Sequence, residues 1–306
     1  MITVLCGGVG AARLLDVLRR AVPAEDLVGI VNTGDDLTLH GLRICPDLDT
    51  ITYTLAGLNN EVTGWGLTGE TWRVMEELDR LGGDAWFSLG DRDLATHLFR
   101  TQRLAQGATL SEITAELGAK LGCPVRLLPV TEGNLSTSFL TEEFGRLSFQ
   151  EYFVGHHHAV AVREIEFLGA EACHPSPGVL EAITTAERIV IAPSNPLISV
   201  APLLAVPGVR AALVARRNDV VAVSPLIGGQ ALKGPADRLL RELGHDATSR
   251  GIAEIYGTFA GTLVIDEADA NDATLVEASG MNCVVTRTLF SDPAGAAGVT
   301  KAILDV

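Results

Sequence analysis

The sequence predicts an α/β fold, a parallel sheet with helices on both faces and a smaller β-rich insertion. Three observations carry that expectation. Short β-branched runs, ITVLCGG, LVGIVNTGDD, RIVIAPSNP, DVVAVSPLIGG, GTLVIDE and MNCVVTRT, are apolar on both faces and turn polar or small at their carboxyl ends, as central strands covered by helices do. Amphipathic segments with apolar residues at three-to-four spacing lie between them, among them Ala11 to Arg20, Thr71 to Leu81 and Leu110 to Leu121. Aromatic residues are 5% of a chain that is 47% hydrophobic, so aliphatic side chains fill the interior, which suits layered α/β packing.

Taken in order, the opening strand runs into a glycine turn, Gly7, Gly8 and Gly10, followed by Arg13 at a helix start. Glycines let a backbone approach a ligand closely, and the next helix aims amides at an anion. The alternative is a tight strand-to-helix connection without a ligand. GGxG departs from the dinucleotide fingerprint, and there is no Walker loop. From 123 to 172 the pattern changes to short alternating pieces, PVRLLPVT, LSTSFLT, GRLSFQEYFV and AVAVREIEFLG. This stretch is expected to be a β-rich insertion between core segments 1–122 and 173–306.

Charge and length exclude several function classes. The 306 residues carry 23 basic and 38 acidic side chains, a net charge of −15, which repels a phosphate backbone and excludes nucleic acid as the expected partner. No apolar run approaches the roughly 20 residues of a membrane span, and no basic leader precedes the first strand. A soluble, cytoplasmic protein is expected. Five scattered cysteines without a CxxC pair predict a reduced compartment and no zinc site.

Open parallel sheets bind ligands beyond the carboxyl ends of their strands, so the tails NTGDD, PSNP and SPLIGG are expected to assemble the site. Asp35 and Asp36 end the second strand, and Asp47 and Asp49 follow in CPDLDT. On an extended segment Asp47 and Asp49 would share one side, as suits Mg²⁺ ligands or a general base; a helix cap is the alternative. In SLGDRDLATH, Ser88 to His97, the run Asp91, Arg92, Asp93 offers either phosphate contacts or helix capping with an internal ion pair, and His97 reads as a packing histidine. Ser194 and Asn195 in PSNP can read a base or ribose. Gly228, Gly229 and Gly234 bracket Lys233, one of three lysines in the chain; this is a polyphosphate clamp or a flexible surface loop. His156 to His158 alternate faces if extended and read as a solvated turn.

The ordered set GGVGAARLLDVL, VNTGDD, CPDLDTITYTLAG, WGLTGETW, LGDRDLATH, APSNPLISVAPLLAVPGV and AVSPLIGGQALKGPA resembles the 2-phospho-L-lactate transferase family of deazaflavin coenzyme F-420 biosynthesis, from Met1 to about Ala270. The resemblance implies a Rossmann-like fold, a homodimer and a need for Mg²⁺. It implies transfer of a phosphoenolpyruvyl or 2-phospho-L-lactyl group from a guanylylated donor to the terminal ribityl hydroxyl of 7,8-didemethyl-8-hydroxy-5-deazariboflavin, with release of GMP. WGLTGETW and DAWFSLGDRDLATH look most like the actinobacterial branch, which uses the enolpyruvyl donor. By this resemblance Asp49 lies at the acceptor hydroxyl, Asp47 and Asp49 are the metal and catalytic acids, and Ser88, Asp91 and Arg92 join Asp49 at the acceptor. Gly8, Gly10, Arg13, Ser194, Asn195, Gly228, Gly229 and Lys233 surround the guanine nucleotide. Two other classes compete. A non-catalytic nucleotide-sugar-binding regulator of a related family would not need PDLDT with LGDRD, and an NAD oxidoreductase would want a different glycine spacing and a lone acid after the second strand.

Overall fold

The computed structural model describes residues 1–305. Seven parallel strands form the central sheet: β1 (Ile2–Cys6), β2 (Leu27–Val31), β3 (Arg126–Pro129), β4 (Arg188–Ile191), β5 (Val220–Val223), β6 (Thr262–Asp266) and β7 (Asn282–Thr286). Their order across the sheet is β7-β6-β5-β4-β1-β2-β3. Val4 faces Gly29 of β2 on one side and Val190 of β4 on the other. The chain leaves β1 in one direction and returns through β4 in the other, so the topological switch point lies between these two strands.

Strand side chains alternate between two faces, and each face has its own core. Leu5, Ile30, Ile191 and Leu263 pack with Val179, Leu203, Leu213 and Tyr256. Val4, Cys6, Leu27 and Val190 pack with α1 (Gly8–Leu18), α2 (Pro46–Leu55) and the C-terminal helix Pro293–Leu304. Two-sided cover is why these strands read as unbroken apolar runs. Three further helices, α3 (Arg73–Arg80), α4 (Asp91–Ala105) and α5 (Leu110–Leu121), fill the long connection from β2 to β3. The sequence expectation for α5 matches residue for residue. Its Thr109–Glu112 capping box and left-handed Gly122 make both ends explicit.

Two expectations are corrected. Arg126–Pro129, inside the stretch assigned to the insertion, is the edge strand of the main sheet and runs parallel to β2. The antiparallel part is three strands, Gly145–Ser148, Ser136–Thr141 and Val162–Leu168, in that spatial order. PVRLLPVT is short and edge-exposed, so its alternation carried no signal of which sheet it joins. The second strand ends at Val31, so Asp35 and Asp36 lie in the turn beyond it rather than closing it. Among the described residues no single helix is long and apolar enough to cross a membrane; one bent pair, Pro196–Ala205 with Val209–Ala215, passes by composition. That pair buries Ile198, Leu203, Val209 and Leu213 inside the protein.

Candidate active site

A cavity of about 420 Å³ opens at the carboxyl ends of β1, β2 and β4. Its floor is the glycine turn. Gly8, Val9 and Gly10 form the first turn of α1 instead of a loop ahead of it. A Cβ on Gly10 would lie 2.5 Å from the Pro193 carbonyl oxygen, so glycine is required where the tails of β1 and β4 cross. Ser194 Oγ donates to the Gly7 carbonyl at 2.7 Å and stitches the two tails together. Asn195 Oδ1 accepts from Leu197 N at 2.9 Å, which leaves its Nδ2 buried and without a partner at the cavity.

The acidic wall is built by α2. Cys45 precedes it and Pro46 opens it, so PDLDT is helical and not extended. Side chains two residues apart on a helix diverge by about 200°, and Asp47 and Asp49 accordingly go different ways. Asp47 accepts from Gly8 N at 2.8 Å and from Asn32 Nδ2 at 3.1 Å. Asp35 lies near it, 5% exposed, with Thr137 Oγ1 at 3.5 Å. Neither carboxylate has an ion-pair partner among the described residues. Burial pushes Asp47 up to about 6 despite its two hydrogen bonds. Burial, with the Asp47 charge beside it, pushes Asp35 well above the usual carboxylate range.

Asp49 faces the opposite surroundings. It pairs with Arg100, whose side chain is 2% exposed. Its Oδ2 lies 3.6 Å from His97 Nδ1, while His97 Nε2 lies 3.3 Å from Asp93 Oδ2. Tyr53 donates to Asp93 Oδ1 at 2.7 Å. Asp93, His97 and Arg100 stand at i, i+4 and i+7 on one face of α4. Burial pulls Asp93 upward, and hydrogen bonds from His97 and Tyr53 with the nearby charges more than offset it, leaving it below the usual range. Ligand atoms of Asp49, Asp93 and His97 lie within 4.8 Å of one another. The two ring nitrogens of His97 face different carboxylates, Arg100 Nη1 lies 3.2 Å from His97 Nδ1, and Arg100 pairs with Asp49, so this array is a polar wall organised by one buried arginine.

Mg²⁺ takes hard oxygen donors. Asp35 and Asp47, buried carboxylates without a counter-charge, fit it. Asp47 and Asp49, the pair expected from the sequence, do not share a direction.

Other sequence-predicted residues divide between the cavity and the scaffold. Ser88 lines the cavity, and Lys233 reaches it as an exposed side chain. Arg13 lies outside it, at the mouth of two adjoining depressions. Asp91 and Arg92 are not on the cavity wall. Asp91 accepts from Thr71 Oγ1, Arg73 N and Val74 N, capping α3, and Arg92 donates to the Thr68 carbonyl. Gly8 N is taken by Asp47. Gly228 N and Gly229 N both donate to Asp269, at 2.9 Å each, so these three amides are not free for a phosphate. His156 to His158 form a turn packed on Phe144 and Phe153.

Several cavity residues were not singled out from the sequence. Trp65 and Trp86, 44% and 43% exposed, line the cavity from separate loops, and Phe149 and Phe153 of the β-rich insertion line it as well. Behind the wall, Arg100 was also missed, although it continues the polar stripe of Asp93 and His97 at i, i+4 and i+7; the tryptophans had no signal beyond their loop setting.

A doubly wound sheet, a helix-borne acid pair at its switch point and an aromatic pocket above it meet a matching family. The family model for 2-phospho-L-lactate transferase CofD matches residues 2–287. The chain belongs to that family. It is a phosphoryl-group transferase enzyme. A curated phosphoenolpyruvate transferase of Streptomyces griseus is 43% identical over 312 residues, covering 100% of this chain and 98% of that protein. The phosphoenolpyruvate transferase of Thermobifida fusca is 42% identical over 318 residues, 100% and 97% of the two chains. That of Mycolicibacterium smegmatis is 38% identical over 320 residues, 100% and 98%. A crystal structure of a UPF0052 family protein from Bacillus halodurans superposes with a TM-score of 0.66 at 14% identity, over 99% of this chain and 98% of that one; this likeness concerns the fold.

Proposed function

We propose that this enzyme moves a phosphoenolpyruvyl group, or its 2-phospho-L-lactyl counterpart, from a guanosine diphosphate-linked donor to the terminal ribityl hydroxyl of 7,8-didemethyl-8-hydroxy-5-deazariboflavin, in deazaflavin coenzyme F-420 biosynthesis. The observation that carries this reading is the presence, in one cavity, of an arginine-held carboxylate, an uncompensated acid pair, a free lysine and aromatic walls. The enolpyruvyl donor is favoured because the relatives are phosphoenolpyruvate transferases.

In the proposed reaction the ribityl oxygen attacks the phosphorus that bears the enolpyruvyl group, and the bond to the bridging oxygen breaks, releasing GMP. Asp49 takes the hydroxyl proton, with Arg100 holding its carboxylate in place. Lys233 offsets charge on the diphosphate as the bridging oxygen gains it. Trp65, Trp86, Phe149 and Phe153 give the tricyclic ring flat apolar surfaces and keep water from the reacting oxygen. Asp35 and Asp47 would hold Mg²⁺, which supplies charge neutralisation on the transferring phosphate. Phosphoryl transfer asks mainly for positioning and charge neutralisation, and these residues supply both.

The testing experiment is a fluorescence titration with the deazariboflavin, with and without GDP and Mg²⁺, followed by the product mass. Saturable binding and a product heavier by the enolpyruvyl phosphate are expected. Binding of NAD tighter than GDP, or no deazariboflavin binding under any condition, would overturn the reading.

A further inference from the structure

The hairpin Leu226–Ile227/Gln230–Ala231 is turned by Gly228 and Gly229, with φ of +62° and +70°. Two consecutive left-handed residues make a turn that glycine adopts at no steric cost. A hairpin with two residues in each strand is marginal by itself. This one is held from outside. Asp269 Oδ2 accepts from Gly228 N and Oδ1 from Gly229 N, and Asp269 is 8% exposed. Its mount is rigid: Asp266, at the end of β6, accepts from Ala268 N at 2.9 Å and from Thr288 N and Oγ1 at 2.8 and 2.9 Å. Directly after the hairpin, Leu232 is 60% exposed and Lys233 spans the cavity mouth, its Nζ 3.0 Å from where a Cβ on Gly64 would stand. Lys233 forms no ion pair among the described residues, so nothing on its own side chain fixes its place.

We propose that Asp269 is a positioning residue for Lys233: its carboxylate closes the glycine turn and thereby sets where the ammonium stands above the cavity. The same two hydrogen bonds close the turn to a phosphate, so the loop contributes to the donor through Lys233 and not through its glycine amides. The role in donor binding rests on the function proposed above; the anchoring of the loop does not.

The full chain carries few lysines, Lys120, Lys233 and Lys301, so a lysine-specific protease reports directly on the loop. In Asp269→Ala, cleavage after Lys233 accelerates while cleavage after Lys120 does not. GDP binding weakens about ten- to a hundredfold, as for loss of a charged hydrogen-bond partner, and KM for the donor rises more than kcat falls. Lys233→Ala weakens GDP binding by a similar factor, and the double variant is no weaker than Lys233→Ala alone, because one side chain acts through the other. Asp269→Asn, which can accept from one of the two amides, falls between and serves if the alanine variant does not fold. Additive losses in the double variant, or unchanged cleavage after Lys233, overturn the proposal. Faster cleavage in Asp269→Ala with no GDP binding by the parent supports the anchor and removes the donor reading.

Discussion

The two sides of the cavity are built on opposite electrostatic plans. On the α4 side Arg100 compensates Asp49, His97 stands between Asp49 and Asp93, and Tyr53 donates to Asp93. On the glycine-turn side, among the described residues, Asp35 and Asp47 are buried without a cation and Lys233 is a cation without an anion. A carboxylate held by a buried arginine has its place fixed before any ligand arrives. An open set of charges is completed by what binds. Under the proposed function, the acceptor hydroxyl, which needs a placed carboxylate, would meet the first side, and the charged donor with Mg²⁺ the second.

The comparison is broken most severely at Arg100. Arg100→Met leaves Asp49 as a buried, uncompensated carboxylate, and urea unfolding is expected to show a loss of about 3–5 kcal/mol. Asp49→Asn keeps an oxygen facing the guanidinium but cannot take a proton; turnover is expected to fall about a hundredfold or more with the far-ultraviolet spectrum unchanged. Unchanged turnover would remove Asp49 from the chemistry. On the open side, Lys233→Ala is expected to weaken GDP binding by about 1.5–3 kcal/mol by calorimetry, with little change in thermal stability, because the side chain is exposed and unpaired.

The acid pair sharpens the contrast through pH. Asp35 and Asp47 have folded pKa values raised above their unfolded ones, so the folded state holds protons that the unfolded state has released. Stability therefore falls as pH rises from about 4 through about 6. Mg²⁺ is expected to raise Tm at pH 7.5 and to have little effect at pH 4.5, and Asp47→Asn is expected to abolish the difference. An equal Mg²⁺ effect at both pH values would remove the pair as the metal site. The smallest effect is expected for Asp91→Ala, a slightly lower Tm with kcat unchanged, since Asp91 caps α3 away from the cavity.

Much of this arrangement was legible along the chain. β1, β4, β5 and β6 read as covered strands because their side chains are buried on both faces, and α5 read to its ends because its capping signals are local. Edge strand β3 did not, since four residues with one exposed arginine look the same in either sheet. Of the site residues expected from the sequence, Gly8, Gly10, Asp47, Asp49, Ser88, Ser194, Asn195 and Lys233 line the cavity. Asp91, Arg92, Gly228 and Gly229 do not, because the same residue types that bind phosphates also cap helices and close turns: Asp91 caps α3, Arg92 donates to the Thr68 carbonyl, and Asp269 holds the Gly228 and Gly229 amides.

Sequence alone determined the α/β class, the carboxyl-end location of the cavity and the family, because hydrophobic period, strand-tail chemistry and ordered motifs are properties of the chain itself. The direction of each acid was a tertiary decision. Asp47 and Asp49 are two residues apart in either conformation, and only the start of α2 at Pro46 turns one toward Gly8 and Asn32 and the other toward Arg100. Which carboxylates stay uncompensated depends on cations brought from 7 to 51 positions away, and pairing over such separations is set by packing, where charge is costly and each partner is used once.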